Sequence, residues 1–158
     1  APAEPTLINS QVQAAEQQFE NDCIAAVLKN SYAEFPQSLI NQGVEREIQR
    51  VAAQAKQYGL ETEMLLQYFG FENMDDFKKK SEENVKTEFL RELVFEEIIK
   101  LEGITCTPEE LEAKYLEIAG GDQSKVKQVK KQYSEAQVSF HINSFKVVDL
   151  IKSNAVTK

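Results

Sequence analysis

Residues Phe89 to Leu111 read FLRELVFEEIIKLEGITCTPEEL, and this stretch decides the fold class. Leu93, Val94, Ile98, Ile99 and Leu101 recur at helical spacing, so the pattern predicts a helix that buries a broad face. Gly103 is placed to end it in the left-handed conformation that glycine adopts without steric cost. Four residues later Thr107-Pro108-Glu109-Glu110 has the form of a capping box with proline at the first helical position. There the Thr107 hydroxyl can accept from the Glu110 amide while the Glu110 carboxylate accepts from the Thr107 amide. One helix therefore stops and another starts within a few residues, and the stretch carries no catalytic group.

The same grammar extends in both directions. Leu7, Ile8, Val12, Ala15, Phe19, Cys23, Ala26 and Val27 track one stripe of a first helix that runs to about Asn30. Pro36 breaks that pattern and opens a second helix, with Leu39, Ile40, Val44, Ile48, Val51, Ala52 and Ala55 on its inner face and Gly59 as its stop. A short helix from Thr62 to Tyr68 ends at Gly70. A fourth runs from Met74 to Leu101, with Asp75 and Asp76 in its first turn, where negative charge suits the helix dipole. At 1.5 Å per residue it spans roughly 40 Å, long enough to project or to bridge two subregions. Pro108 to Ala119 and Asp122 to Tyr133 follow, separated by Gly120-Gly121. Ser134-Glu135-Ala136-Gln137 is a second capping box, opening a last helix with Val138, Ile142, Phe145, Val148 and Ile151. Period-two alternation is nearly absent, no hairpin dipeptide appears, and no exact repeat stands out. The fold class is all-α.

Composition narrows the function. The 158 residues carry a net charge of −8, with 18 basic against 26 acidic side chains. That balance argues against nucleic acid as a general partner, because such binding depends on cations neutralising phosphates, and against docking on an anionic membrane. No run approaches the roughly 20 apolar residues of a membrane span. The opening APAEPTLINS lacks a basic region followed by an apolar one, so no secretory signal is read there. The two lone cysteines read as free thiols of a reducing compartment, which makes the cytoplasm the expected location. Residue 1 is not methionine, so a processed product or an excised segment is consistent with the sequence. Cys23 and Cys106 are the only cysteines and His141 the only histidine. A structural zinc site takes four such ligands, so none is expected, and neither is a cofactor.

Motifs that bring chemistry are missing: there is no GxxxxGK[ST], GxGxxG or GxSxG. The paired carboxylates Glu96–Glu97 and Glu109–Glu110 read as solvated helix faces, and His141, between Phe140 and Ile142, as a packed or surface-edge side chain without a nucleophile. Lys125, Lys127, Lys130 and Lys131 form a local basic patch without interleaved aromatics, which again reads as a solvated face. The dense cluster Leu65, Leu66, Tyr68, Phe69, Phe71 and Phe77, flanked by Met64 and Met74, leaves two readings open. It either packs the short helix onto its neighbours or stays partly exposed to receive apolar segments of another chain.

Segments in order along nearly the whole sequence resemble the C-terminal domain of the bacterial trigger factor family. They are AAVLKNSYAEFPQSLINQGVEREIQR (25–50), QYGL (57–60), LLQYFGF (65–71), MDDFKKKSEENVKTEFLRELVFEEIIKLEGITCTPEELEAKYLEIA (74–119) and FKVVDLIKSNA (145–155). These are packing patterns, specific by order and spacing and not by any one motif. The resemblance implies an elongated multi-helix domain over residues 1–158 with protruding helical arms, related to periplasmic chaperone folds. It implies a molecular chaperone that holds unfolded or nascent polypeptides in a cradle; the exposed reading of the apolar cluster then makes Leu65, Tyr68, Phe69 and Phe71 the expected peptide-contacting residues. The family's ribosome-docking and peptidyl-prolyl isomerase domains are not visible in these residues. The segment is thus expected to hold clients without enzymatic turnover, and its family to meet the ribosome through another domain. Two rivals stay open: a helical scaffold for one partner or for self-association, and the core of an extracytoplasmic isomerase-type chaperone.

Overall fold

A computed structural model describes the backbone of residues 4–155 and the side chains of residues 9–155. The described residues form helices joined by turns: α1 (Glu4–Lys29), α2 (Gln37–Gln57), α3 (Thr62–Tyr68), α4 (Met74–Leu101), α5 (Pro108–Ile118), α6 (Gln123–Gln132) and α7 (Glu135–Asn154). The chain divides into two compact units, one made of residues 31–92 and the other of 1–30 with 93–158, and the division falls inside α4.

In the unit of residues 31–92, Pro36 occupies the N-cap of α2 with φ −55° and ψ 136°, the extended geometry that feeds a helix. Gly59, at φ +68°, closes α2 as Leu60 N–H donates to Ala55 O at 2.9 Å. Gly70, at φ +90°, closes α3 in the same way, with Phe71 N–H donating to Leu66 O at 3.0 Å. Both are six-to-one closures in which the left-handed residue lets the chain turn back on its own carbonyls. Asn73 then starts α4, its side-chain oxygen accepting from Asp76 N–H at 3.0 Å. The core of this unit gathers Val51 and Ala55 of α2, Leu65 and Leu66 of α3 and Phe77 of α4, with Ile48, Phe71 and Met74 packed on it. The Phe71 and Phe77 rings meet edge to face, 5.1 Å apart. Farther along, Gly43 of α2 sits against α4 so closely that an added Cβ would lie 2.5 Å from Val85 Cγ1.

The other unit has two apolar centres. Ile24 of α1, Phe95 of α4 and Val147 and Val148 of α7 form the first, with Leu28, Ile98, Ile99, Ile104, Phe140 and Ile151 around them. Tyr115, Ala119, Val129 and Val138 form the second, joining α5, α6 and α7. The turn after α4 follows the sequence reading: Gly103 lies at φ +61° and both arms of the Thr107–Glu110 capping box are present. Thr107 N–H donates to Glu110 Oε2 at 2.8 Å and Glu110 N–H donates to Thr107 Oγ1 at 3.2 Å. Lys146 of α7 donates to the same Glu110 oxygen at 2.7 Å and to Thr105 O at 2.8 Å, so one ammonium fastens this turn to α7. The ammonium holds the Glu110 carboxyl below its ordinary range, and the Thr107 N–H adds to the effect. Ser134 and Gln137 form the second capping box, and Tyr115 Oη donates to Tyr133 O at 3.2 Å just before it.

Helix ends agree with the sequence reading, whereas several helix faces do not. In α4 the anchor is Phe95, 2% exposed, and not Leu93, which is 49% exposed, or Leu101, which is exposed too. Leu93 and Phe95 are two residues apart, about 200° around the helix, so they cannot share a face. The apolar residues of α4 occupy more than one side, and the partners choose which side is buried. In α1 Cys23 and Ile24 are buried while Val12, Ala15 and Ala26 are exposed, and the side chains of Leu7 and Ile8 lie outside the described residues. Leu39 of α2 and Phe145 of α7 are exposed, and Val147 is buried in place of the latter. His141 sits at the surface with its ring edge to face with Phe145, 5.0 Å away.

Candidate functional site

Open apolar surface collects at the junction of α2 and α3. On the seven-residue α3, Leu65 and Leu66 turn inward and are buried. Met64 and Tyr68, four residues apart, lie together on the outer face, as helical geometry requires. The helix stop at Gly59 carries Tyr58 and Leu60 to the same place. Gln54, Tyr58, Leu60, Met64, Leu65, Tyr68 and Phe69 line a groove of about 540 Å³. Tyr68 is 85% exposed and Met64 57%. The Tyr68 and Phe69 rings stand edge to face with centroids 6.0 Å apart.

Of the four residues singled out from sequence, Leu65, Tyr68 and Phe69 come together at this groove. Leu65 is 3% exposed, so it forms the floor and belongs mainly to the core. Phe71 is not part of the groove wall; it packs against the core through Phe77. Tyr58 and Leu60 were missed because QYGL reads as a helix stop. The available signal was its composition, since a stop flanked by two large apolar residues places both at a turn with little covering chain.

A second apolar groove, about 560 Å³, lies in the other unit between α1, the end of α4 and α7. Phe19, Cys23, Ala26 and Val27 of α1 form one wall, Ile98 the floor and Leu150 and Ile151 of α7 the other wall, with Asp22, Glu102 and Asn154 at the rim. The α1 stripe thus serves a groove more than a closed core. A smaller and more polar recess of about 410 Å³ is bounded by Ala33, Glu34, Phe35, Gln37, Ile40, Lys86, Thr87 and Leu90.

Four of the charged candidates, Lys125, Lys130, Glu97 and Glu110, are engaged elsewhere. Lys125 pairs with Asp122 at 3.4 Å, and Lys130 pairs with Glu112 and stands 5.3 Å over the Tyr115 ring. Glu97 lies 3.9 Å from Lys100, and Glu110 belongs to the cap and to Lys146. Lys86 draws the Glu82 carboxyl below its ordinary range by a hydrogen bond. Both cysteines are free thiols, Cys23 buried and Cys106 half-buried. Among the described residues no group of three or more His, Cys, Asp or Glu side chains is arranged to hold a metal ion, and no helix is long and apolar enough to cross a membrane. The chemistry these grooves offer is burial of apolar side chains beside a few polar rim atoms.

Comparison with known proteins places this architecture. The family described as the C-terminus of bacterial trigger factor protein matches residues 5–153. The trigger factor of Clostridium beijerinckii is 35% identical over 115 residues, covering 72% of this chain and 26% of that protein. That of Carboxydothermus hydrogenoformans is 30% identical over 146 residues, covering 89% of this chain and 33% of that protein. The chain spans a third or less of the length of these two relatives. A solved structure of trigger factor domains from Thermotoga maritima superposes with a TM-score of 0.67 at 20% identity, covering 88% of this chain and 84% of that one, which shows a shared fold. With the all-helical architecture, the capped turns and the match over nearly every residue, the chain belongs to the bacterial trigger factor C-terminal family.

Proposed function

We propose that this domain is a polypeptide-holding chaperone module whose grooves take apolar segments of unfolded or nascent chains. The observation that carries the reading is the α2–α3 groove, where Tyr58, Met64, Tyr68 and Phe69 are exposed around about 540 Å³ of apolar space. A soluble protein places single apolar residues on its surface as a matter of course, but a contiguous set around a groove marks an interaction site. The groove fits one or two client side chains. Burying one leucine- or phenylalanine-sized side chain contributes about 1.5–3 kcal/mol, less than the roughly 4 kcal/mol of a millimolar complex. One groove alone therefore binds briefly, and a long client gains by engaging further apolar sites with other segments of the same chain. Fast release with retention through several contacts is what a folding assistant needs. The acidic balance of the chain keeps it soluble while apolar surface is open.

On this reading residues 1–158 act as one client-holding segment, bind without turnover and use no cofactor or metal. Ribosome docking and prolyl isomerisation belong, by the family resemblance, to other parts of the full-length proteins, and the cytoplasm is the place of action.

The test is aggregation suppression of a chemically unfolded client by wild type and by Tyr68→Ser and Phe69→Ser, singly and together. The double variant is expected to keep its helical signal and melting temperature and to lose most of its effect on the client. Unchanged suppression by a folded double variant would remove the α2–α3 groove from the mechanism.

A further inference from the structure

The α2–α3 groove contains one oxidisable thioether, and its position separates it from the other methionine of the chain. Met64 is 57% exposed on the outer face of α3, whereas Met74 is half-buried and packed on the core cluster of the same unit. The chain has two methionines, so exposure separates one open thioether from one half-buried thioether. Methionine is a soft apolar side chain that adapts to varied contacts, and its sulfoxide is polar and chiral. Oxidation at position 64 would put a strong S=O dipole into a groove otherwise lined by Gln54, Tyr58, Leu60, Leu65, Tyr68 and Phe69.

We propose that Met64 is a peroxide-responsive modification site that switches the α2–α3 groove from an apolar, client-holding form to a polar, client-releasing one. The inference rests on the holding role proposed above. In the reaction the Met64 sulfur gives an electron pair to one oxygen of hydrogen peroxide. The O–O bond breaks as the S–O bond forms, the proton on the transferred oxygen passes to the leaving hydroxide to give water, and the sulfur is oxidised by two electrons to the neutral sulfoxide. The step is reversible through methionine sulfoxide reductases, which makes it a switch and not only damage. Met74 is the less accessible of the two, half-buried on the core of the same unit, so peroxide meets the groove sulfur more readily.

The experiment treats the protein with hydrogen peroxide, maps sulfoxide by peptide mass spectrometry and measures affinity for a fluorescent unfolded client before and after treatment. Wild type is expected to oxidise faster at Met64 than at Met74. Client affinity is expected to fall about tenfold, the scale of one lost apolar side-chain contact, and to recover after reductase treatment. For Met64→Leu, whatever its starting affinity, the ratio before and after peroxide stays near one. For Met74→Leu the ratio falls as in wild type. Equal oxidation rates at the two sulfurs, or an equal loss of affinity in Met64→Leu, overturns the proposal. If Tyr68→Ser weakens client binding and Met64 oxidation does not, the groove stands and the switch alone is wrong. If Tyr68→Ser changes nothing, the holding role of the groove fails and the switch falls with it.

Discussion

Gly43 offers the sharpest test of how residues 31–92 are packed. It lies inside α2, where glycine is about 0.5–1 kcal/mol worse than alanine, so propensity alone favours Gly43→Ala. Packing opposes it. The new Cβ would lie 2.5 Å from Cγ1 and 3.1 Å from Cγ2 of Val85, and 3.4 Å from Cζ of Phe89. Val85 cannot swing aside cheaply, because a β-branched side chain on a helix is nearly confined to one χ1 rotamer. Overpacking of this kind costs about 1–3 kcal/mol, so Gly43→Ala is expected to destabilise by about 1 kcal/mol net. The Val85→Ala variant removes both methyl groups that the Cβ would meet, at about 2 kcal/mol for the lost burial. On that background Gly43→Ala should become stabilising by about 0.5–1 kcal/mol, so the effect changes sign. Urea melts of the four proteins by far-ultraviolet circular dichroism, with hydrogen exchange of α2 amides as the local readout, give the coupling energy, expected near 2 kcal/mol. A Gly43→Ala variant as stable as wild type or more so, or a cycle with no coupling, would show that α2 and α4 do not approach as described.

Three further outcomes are expected. Phe95→Ala should cost about 3–5 kcal/mol in a denaturant melt and Leu93→Ala less than about 1, which checks the assignment of the buried face of α4. Leu65→Ser should unfold or strongly destabilise residues 31–92, whereas Tyr68→Ser should shift the melting temperature little, separating groove floor from groove rim in the same assay. The Glu110 carboxyl is depressed by the Lys146 ammonium and then by Thr107 N–H, so its folded pKa lies below its ordinary value of 4.5. A depressed carboxylate contributes stability above the unfolded pKa and loses it as pH falls through the folded one. The melting-temperature advantage of wild type over Glu110→Gln should therefore be full near pH 6 and shrink steadily as pH is lowered from 5 to 3; an advantage independent of pH would refute the pairing.

Helix ends were legible because they are set by local chemistry. Gly59, Gly70 and Gly103 each take the positive φ that a stop requires, and Thr107 and Ser134 each carry a capping partner three residues on. The faces were harder to read. Phe95 and Leu93 are equally apolar to a periodicity argument, and only the side chains of α1 and α7 decide that Phe95 is enclosed. Likewise Phe19, Cys23 and Val27 form a regular stripe that ends up along a groove, because α7 lies beside it without closing over it. The α2–α3 groove was visible as a cluster at Leu65 to Phe71. Its other wall, Tyr58 and Leu60, depends on how the Gly59 turn redirects the chain, which is a three-dimensional fact.

One carboxylate oxygen at position 110 accepts from the Thr107 amide and from the Lys146 ammonium, 36 residues farther along the chain. Glutamine at 110 can keep the first bond, but an uncharged neighbour leaves the ammonium of residue 146 without its counter-charge. Across the family, then, lysine at 146 is expected to accompany an acid at 110. A lineage that loses one has little reason to keep the other, and this pair of columns should carry a covariation signal far stronger than its sequence separation suggests.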